Sequence, residues 1–138
     1  MITKLHLMHD PRAESGQGLV ESALVFTVLM VIILGLVDFA FVFQAYIGVV
    51  NAAGVGATYG ATSVSAANTP TAISAAALAE SNAWHCANQS VASSTSTDGF
   101  GYTMVSVTVQ CQVADLIAIP ETLNQMWVSN TAVRRVRQ

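Results

Sequence analysis

The first third of this chain is dominated by an uninterrupted apolar segment. Between Glu21 and Asp38 no residue carries a formal charge. As an α-helix rising 1.5 Å per residue, residues 19–37 would extend about 28 Å, which matches the hydrocarbon core of a bilayer. The segment therefore predicts a membrane-spanning helix that continues to about Val42.

A short polar leader precedes the apolar segment. It contains Lys4 and Arg12 and ends at Gly16. Positively charged flanks stay on the cytoplasmic side, so we expect the leader inside and the rest of the chain outside. An ordinary secretory signal is cut after its apolar core. A cut at the end of the leader, after Gly16 and before the apolar segment, would instead leave the mature protein with an apolar N-terminal helix.

Glu21 is an unusual residue for an apolar helix. An ionised side chain costs about 2.5 kcal/mol or more at the centre of a bilayer, and less near its interface. If the chain is cut after Gly16, the new α-amino group of Gln17 lies about one helical turn from Glu21, within one chain or between neighbours, and can neutralise it. The alternative is that Glu21 lies among the lipid headgroups. For Asp38, at the other end of the segment, the interfacial position is the favoured interpretation.

Composition argues against a soluble enzyme and against nucleic-acid binding. Hydrophobic residues make up 53% of the 138 residues and charged residues 9%, which is typical of a membrane-associated chain. Binding a run of phosphates takes a patch of several Lys and Arg, and this chain has five in all with a net charge of −3. We expect a membrane partner and no nucleic-acid partner.

The chain shows no catalytic pattern. His6 and His9 lie in the leader, and His85 is adjacent to Cys86. Neighbouring helical residues point about 100° apart, which disfavours a Cys-His dyad. No glycine-rich phosphate loop, metal-ligand set or pair of carboxylates is present. We expect no enzymatic activity, no cofactor, no metal site and no small-molecule substrate.

Cys86 and Cys111 both follow the apolar segment. In an oxidising compartment such a pair is most simply a disulfide. Closing a loop of about 26 residues stabilises a fold by about 3.5 kcal/mol in the chain-entropy model, and a small ectodomain needs such support. Two separate buried thiols are the alternative.

Ala52, Gly56 and Gly60 recur at every fourth position within a stretch of small residues. This spacing lets helix backbones approach closely and suits lateral packing of many like helices. The alternative is that each glycine weakens the helix by up to about 1 kcal/mol relative to alanine. We expect the helix to continue to about Tyr59.

A second helix is predicted to open at Thr69-Pro70-Thr71, because proline is tolerated in a first turn, and to run to about Ala87. Residues 88–101 are rich in Ser, Thr, Asp and Gly and predict a loop or the approach to a hairpin, with Asp98-Gly99 as the turn.

Residues 102–113 alternate strictly between apolar and polar side chains. They predict a half-buried strand whose buried face includes Val107 and Cys111. Residues 128–136 predict a last strand beside it. The predicted fold class is α+β: a long N-terminal helix followed by a small ectodomain with a second helix and a short antiparallel sheet.

The run from Gly16 to Glu21, with the apolar helix after it, resembles the type IV prepilin processing motif. The continuation Gly35-Leu36-Val37-Asp38-Phe39, with Asn51-Ala52-Ala53 and Gly56-Ala57, is similar to the TadE-like family of minor pilins, or pseudopilins. The end of the chain, with its Val-Thr-Val strand and Thr131-Ala132-Val133-Arg134, is similar to the close of those proteins. The resemblance covers nearly all of the chain.

The resemblance implies a pilin-like fold with a leader (residues 1–16), a transmembrane and assembly helix (17–60) and a small periplasmic or extracellular ectodomain (61–138). It implies processing by a prepilin peptidase after Gly16, with Glu21 as the acid that the motif requires. It further implies a minor pilin of the tight-adherence pilus system in the bacterial inner membrane. Other pilins and pilus assembly proteins would be its partners in pilus assembly and adhesion.

Two departures from the family pattern bear on this interpretation. Ser22 stands where the major pilins of the system usually carry Tyr, which argues against the principal filament subunit. Gln17 would open the mature chain where general type IV pilins prefer Phe, so N-methylation does not follow from the resemblance. The alternatives are an uncleaved single-pass anchor whose ectodomain binds an envelope partner, and the principal filament-forming pilin.

Overall fold

A computed structural model describes residues 11–80, 86–113 and 126–137 of the chain. In these ranges three helices precede three strands: α1 (Pro11–Gly60), α2 (Val64–Ala67), α3 (Pro70–Glu80), β1 (Cys86–Thr97), β2 (Thr103–Val113) and β3 (Trp127–Arg135). The sheet is antiparallel in the order β1-β2-β3. The predicted α+β class, a long apolar helix followed by a small domain with a short helix and an antiparallel sheet, is confirmed.

The chain divides into two compact units between Val37 and Asp38. The N-terminal unit contains the first part of α1. The C-terminal unit contains the rest of α1 together with α2, α3 and the sheet. The predicted boundaries after residues 16 and 60 stay predictions.

The core of the C-terminal unit lies between the sheet and one face of α1. From β2 the core receives alternate residues, all at most 2% exposed: Val105, Val107, Val109, Cys111 and Val113. From α1 it receives residues spaced by three and four, which is the spacing of one helix face: Ala45, Val49, Ala52, Ala53 and Ala57. Ile73 and Ala77 of α3, Ala67 of α2 and Val136 also belong to it. The predicted buried face of the strand over residues 102–113 is confirmed.

The short helix α2 begins with a side-chain cap. Ser63 has extended backbone angles, and its hydroxyl accepts a hydrogen bond from the Ala66 N–H at 3.1 Å. Such a cap satisfies one of the backbone donors that a helix leaves unpaired at its start. Helix α3 then begins at Pro70, as predicted, because a first-turn residue needs no N–H partner within the helix.

The turn between β1 and β2 falls at Asp98-Gly99, as predicted. The Asp98 carbonyl accepts from the Gly101 N–H at 3.0 Å, and the Asp98 N–H donates to the Tyr102 carbonyl at 2.9 Å. Gly101 has a φ of 85°, the left-handed conformation that closes a three-residue hairpin loop. This conformation favours glycine at that position.

The prediction of a helix up to about Ala87 is wrong at its end, and residues 88–97 form a strand of the hairpin, not a loop. The described part of α3 is Pro70–Glu80, and β1 occupies Cys86–Thr97. The cause is pairing: β1 is held against β2 along its length, from Thr97 opposite Thr103 to Cys86 opposite Val113. Ser and Thr are compatible with a strand when a partner strand satisfies their backbone groups. Residues 81–85 of the predicted second helix lie outside the described residues.

Candidate functional site

The part of α1 in the N-terminal unit presents apolar side chains on all sides. Every large apolar residue from Leu19 to Val37 is between 40% and 74% exposed. By length and composition α1 is able to cross a membrane from Gly16 onward. A helix that is hydrophobic all round is buried in some other medium, either a lipid bilayer or other protein.

Hydroxyl groups within this apolar helix are satisfied by its own backbone. Ser22 Oγ donates to the Gly18 carbonyl at 2.8 Å, and Thr27 Oγ1 donates to the Ala23 carbonyl at 2.9 Å. Such bonds to the preceding turn let Ser and Thr lie in an apolar helix at low cost.

Glu21 differs from these hydroxyl residues. Its side chain is exposed and has no hydrogen-bond or ion-pair partner among the residues that the structure describes. The carboxylate is therefore available to a group from outside the described chain.

Gly16 and Gln17 both lie within α1 and are exposed. A Cβ atom added at Gly16 would meet no other atom within 4 Å, and the same is true at Gly18. Packing against the described residues therefore gives no steric reason for glycine at position 16.

Asp38 begins the C-terminal unit. Its Oδ1 atom is buried and has no hydrogen-bond partner among the described residues. A buried carboxylate oxygen without a partner is costly. Asp38, like Glu21, is thus an acid of α1 whose partner the described residues do not supply.

Ala52, Gly56 and Gly60 lie on the face of α1 that packs within its own unit. A Cβ atom added at Gly56 would lie 3.1 Å from Ala77 Cβ, and one added at Gly60 would lie 2.9 Å from Val105 Cγ1. The small residues therefore let α1 approach the sheet and α3 closely. Their predicted role in packing between neighbouring like helices stays a prediction.

Cys86 and Cys111 are joined by a disulfide with their Cα atoms 5.5 Å apart. The bond links the start of β1 to β2 beside an irregularity in the register between Cys86 and Gln89. Cys111 is fully buried. The structure therefore brings together the two cysteines that the sequence analysis singled out.

Sequence reasoning missed a polar cluster at the hairpin. Asp98 Oδ1 accepts from the N–H groups of Tyr102 at 2.8 Å and Phe100 at 2.9 Å. Its Oδ2 accepts from Arg135 Nη2 at 3.1 Å. The Tyr102 N–H and the Arg135 guanidinium hold the pKa of the Asp98 carboxyl below its usual value, outweighing the opposite effect of desolvation. Only the Asp-Gly turn was visible in sequence.

Among residues 11–80, 86–113 and 126–137, no group of three His, Cys, Asp or Glu side chains lies close enough to share a metal ion. His6, His9 and His85 lie outside the described residues. Expectations about catalysis, cofactors and metals stay predictions.

The first part of α1 is an apolar helix, exposed on all sides and long enough to cross a membrane. The rest of α1 belongs to a small α+β unit with α2, α3 and the sheet. Residues 16–58 match the family model described as TadE-like protein. This match confirms the predicted resemblance over the segment that begins at Gly16 and includes Glu21. No curated protein and no solved structure matches the chain.

Proposed function

We propose that this chain is a minor pilin of a tight-adherence pilus system. It is anchored in the bacterial inner membrane by α1, with its C-terminal portion in the periplasm. The observation that carries the proposal is the coincidence of the TadE-like match at residues 16–58 with a helix whose large apolar side chains are exposed from Leu19 to Val37.

Membrane insertion is supported by the exposed apolar surface of α1. Removing one Val, Leu, Ile or Phe side chain from water is worth about 1.5–3 kcal/mol. More than a dozen such side chains between Leu19 and Val37 are at least 40% exposed. A bilayer buries them all at once, while the backbone groups of a helix are already paired within it.

Processing after Gly16 is supported by two features of that position. Among the described residues the glycine has no packing role, so its identity is free to serve recognition by an outside enzyme, a prepilin peptidase. Cleavage there would also create an α-amino cation at Gln17 about one turn from Glu21, a carboxylate without a described partner.

Assembly into the pilus is supported by the same two charges, the α-amine of Gln17 and the carboxylate of Glu21. In a bundle of apolar helices, the amine of one subunit and the carboxylate of Glu21 in a neighbour neutralise each other. A carboxylate in an apolar medium is strongly destabilised unless it is paired. The pair thus sets the axial position of an incoming subunit, and the C-terminal unit serves adhesion and contact with other pilus components.

The test is the N-terminus of the protein recovered from its native host. Wild type is expected to begin at Gln17 by intact mass. Gly16→Leu is expected to retain its leader, and Gly18→Leu, a matched control at a glycine that also has free space, to lose it. An uncleaved wild type would favour a single-pass anchor. Purified filaments with this chain as the dominant band would favour the principal pilin.

A further inference from the structure

A hollow of about 420 Å³ lies where the end of α1 meets the end of β3 in the C-terminal unit. It is lined by Thr58, Ala61, Thr62, Arg134, Arg135 and Arg137. Three of the five basic residues of the whole chain therefore border one hollow, and no acidic residue lines it. The hollow is therefore positively charged, whereas the whole chain carries a net charge of −3.

The backbone brings Arg134 and Arg137 to the end of α1. Arg134 is opposite Val105 in the sheet register, and Val105 is fully buried on the face packed against α1. Directly opposite residues share a face, so Arg134 lies on the helix side of β3. The Arg137 N–H donates to the Ala61 carbonyl at 2.9 Å, which fixes this residue beside the last turn of α1.

The three arginines are not equivalent. Arg135 is opposite Met104, on the other face of the sheet, and its guanidinium is engaged by Asp98 and Tyr102. Arg134 and Arg137 form no ion pair in the part of the chain that the structure describes. Two guanidinium groups therefore remain to serve a ligand.

The partial negative charge at the C-terminal end of α1 does not neutralise Arg134 and Arg137. The C-terminus of a helix is equivalent to roughly half a negative elementary charge, whereas two unpaired guanidinium groups carry two positive ones. Against the helix end alone an excess of more than one positive charge remains; Glu80 lines an adjoining hollow with Arg134 but forms no ion pair with it.

The two threonine hydroxyl groups beside the arginines already donate their hydrogen bonds to backbone carbonyls. The guanidinium groups are therefore the side-chain donors that the hollow offers a ligand. Thr58 Oγ1 donates to the Gly54 carbonyl at 2.7 Å, and Thr62 Oγ1 donates to the Tyr59 carbonyl at 2.7 Å. The ligand must therefore accept hydrogen bonds from planar, permanently charged donors. Phosphate and carboxylate oxygens both match the fork geometry of arginine, and a phosphate group has at least three acceptor oxygens, enough for two guanidinium groups at once.

We propose that this hollow binds a phosphate group, free or borne on a polymer, with Arg134 and Arg137 as its two donors. The inference goes beyond the pilin function and does not depend on it, since it concerns only the C-terminal unit. It assigns a ligand to the end of the chain, where the sequence shows only a cluster of basic residues.

The test is titration of the full chain in maltoside detergent, which carries no phosphate, with inorganic phosphate at constant ionic strength. Calorimetry is expected to show saturable binding to wild type. Arg134→Gln and Arg137→Gln are each expected to weaken it by about tenfold or more. Gln110→Glu lowers the net charge by the same amount at an exposed site on the sheet and is expected to leave the affinity within twofold of wild type.

Three outcomes would overturn the proposal: no saturable binding to wild type, an equal loss in Gln110→Glu, or no loss in the two arginine variants. Arg134→Lys keeps the charge but not the fork, and an affinity between those of wild type and Arg134→Gln supports bidentate recognition independently of folding. Polyphosphate is the second probe. Tighter binding than inorganic phosphate indicates a polymeric ligand, and equal binding per phosphate group indicates the free ion.

Discussion

The guanidinium of Arg135 lies 3.5 Å from the centroid of the Tyr102 ring and donates to Asp98 Oδ2 at 3.1 Å. Arg135 is the last residue of β3, and Asp98 and Tyr102 flank the loop between β1 and β2. The Arg135 side chain therefore links the end of β3 to the loop between β1 and β2, through an ion pair with Asp98 and a cation–π contact with Tyr102. Cation–π contacts in proteins involve arginine more often than lysine.

Replacing Arg135 by Gln is expected to lower the melting temperature slightly, because both contacts are lost. The effect is small since the Arg135 side chain is 51% exposed and exposed ion pairs contribute little. Arg134→Gln, which removes the same charge from a residue without a described ion pair, is the control. Equal melting temperatures for the two variants would mean that the contacts of Arg135 do not stabilise the fold.

Asp98 is expected to make stability depend on pH in the acid range. Its pKa is lowered from 3.8 in the folded chain, chiefly by the Tyr102 N–H, so the unfolded chain binds the proton more readily. The stabilising contribution is present at neutral pH and is lost as pH falls below 3.8 through the folded pKa. In urea unfolding, the stability difference between wild type and Asp98→Asn should therefore shrink on acidification. Glu80→Gln controls for the loss of a negative charge, and an unchanged difference at low pH would contradict this assignment.

Gly60→Ala is expected to destabilise the C-terminal unit by about 1–3 kcal/mol, as overpacking does. The added Cβ would lie 2.9 Å from Val105 Cγ1 and 3.0 Å from Ile73 Cδ1, and both of these side chains are fully buried. Gly54→Ala is the matched control, because a Cβ there meets nothing within 4 Å. It is expected to stabilise α1 by up to about 1 kcal/mol. Chemical unfolding that ranks the two variants in the reverse order would refute the close packing at Gly60.

Loss of the bond between Cys86 and Cys111 is expected to cost about 2–4 kcal/mol. The double variant Cys86→Ala, Cys111→Ala should unfold at lower urea concentration than the oxidised wild type. Reductant should lower the midpoint of wild type and leave the double variant unchanged. A wild-type midpoint insensitive to reductant would indicate two free thiols.

Glu21→Ala with Gly16 intact is expected to fail in filament incorporation even where its leader is removed, because the α-amine of Gln17 then has no carboxylate to pair with. Glu21→Gln keeps the size and hydrogen bonding but not the charge, and should fail in the same way. The measurements are intact mass for processing and immunoblotting of sheared filaments for incorporation. Normal incorporation of either variant would remove the proposed charge pair.

Local patterns suffice to predict α1, β2 and the turn between β1 and β2. A long uncharged apolar run, a strict alternation over residues 102–113 and an Asp-Gly pair each carry their own signal over a few neighbouring residues. The resemblance at Gly16 and Glu21 is equally local, since processing motifs are read from a short stretch of chain.

Only the tertiary structure decides three other features: strand β1, the burial of Gly56 and Gly60, and the contacts of Arg135. The composition of residues 86–97 is that of a loop, and they become a strand because β2 pairs with them. The spacing of the two glycines does not say whether the close neighbour is another chain or Val105 and Val107 of the same one. Asp98 and Arg135 are 37 residues apart, and only the pairing of three strands brings a contact of that separation within hydrogen-bond distance.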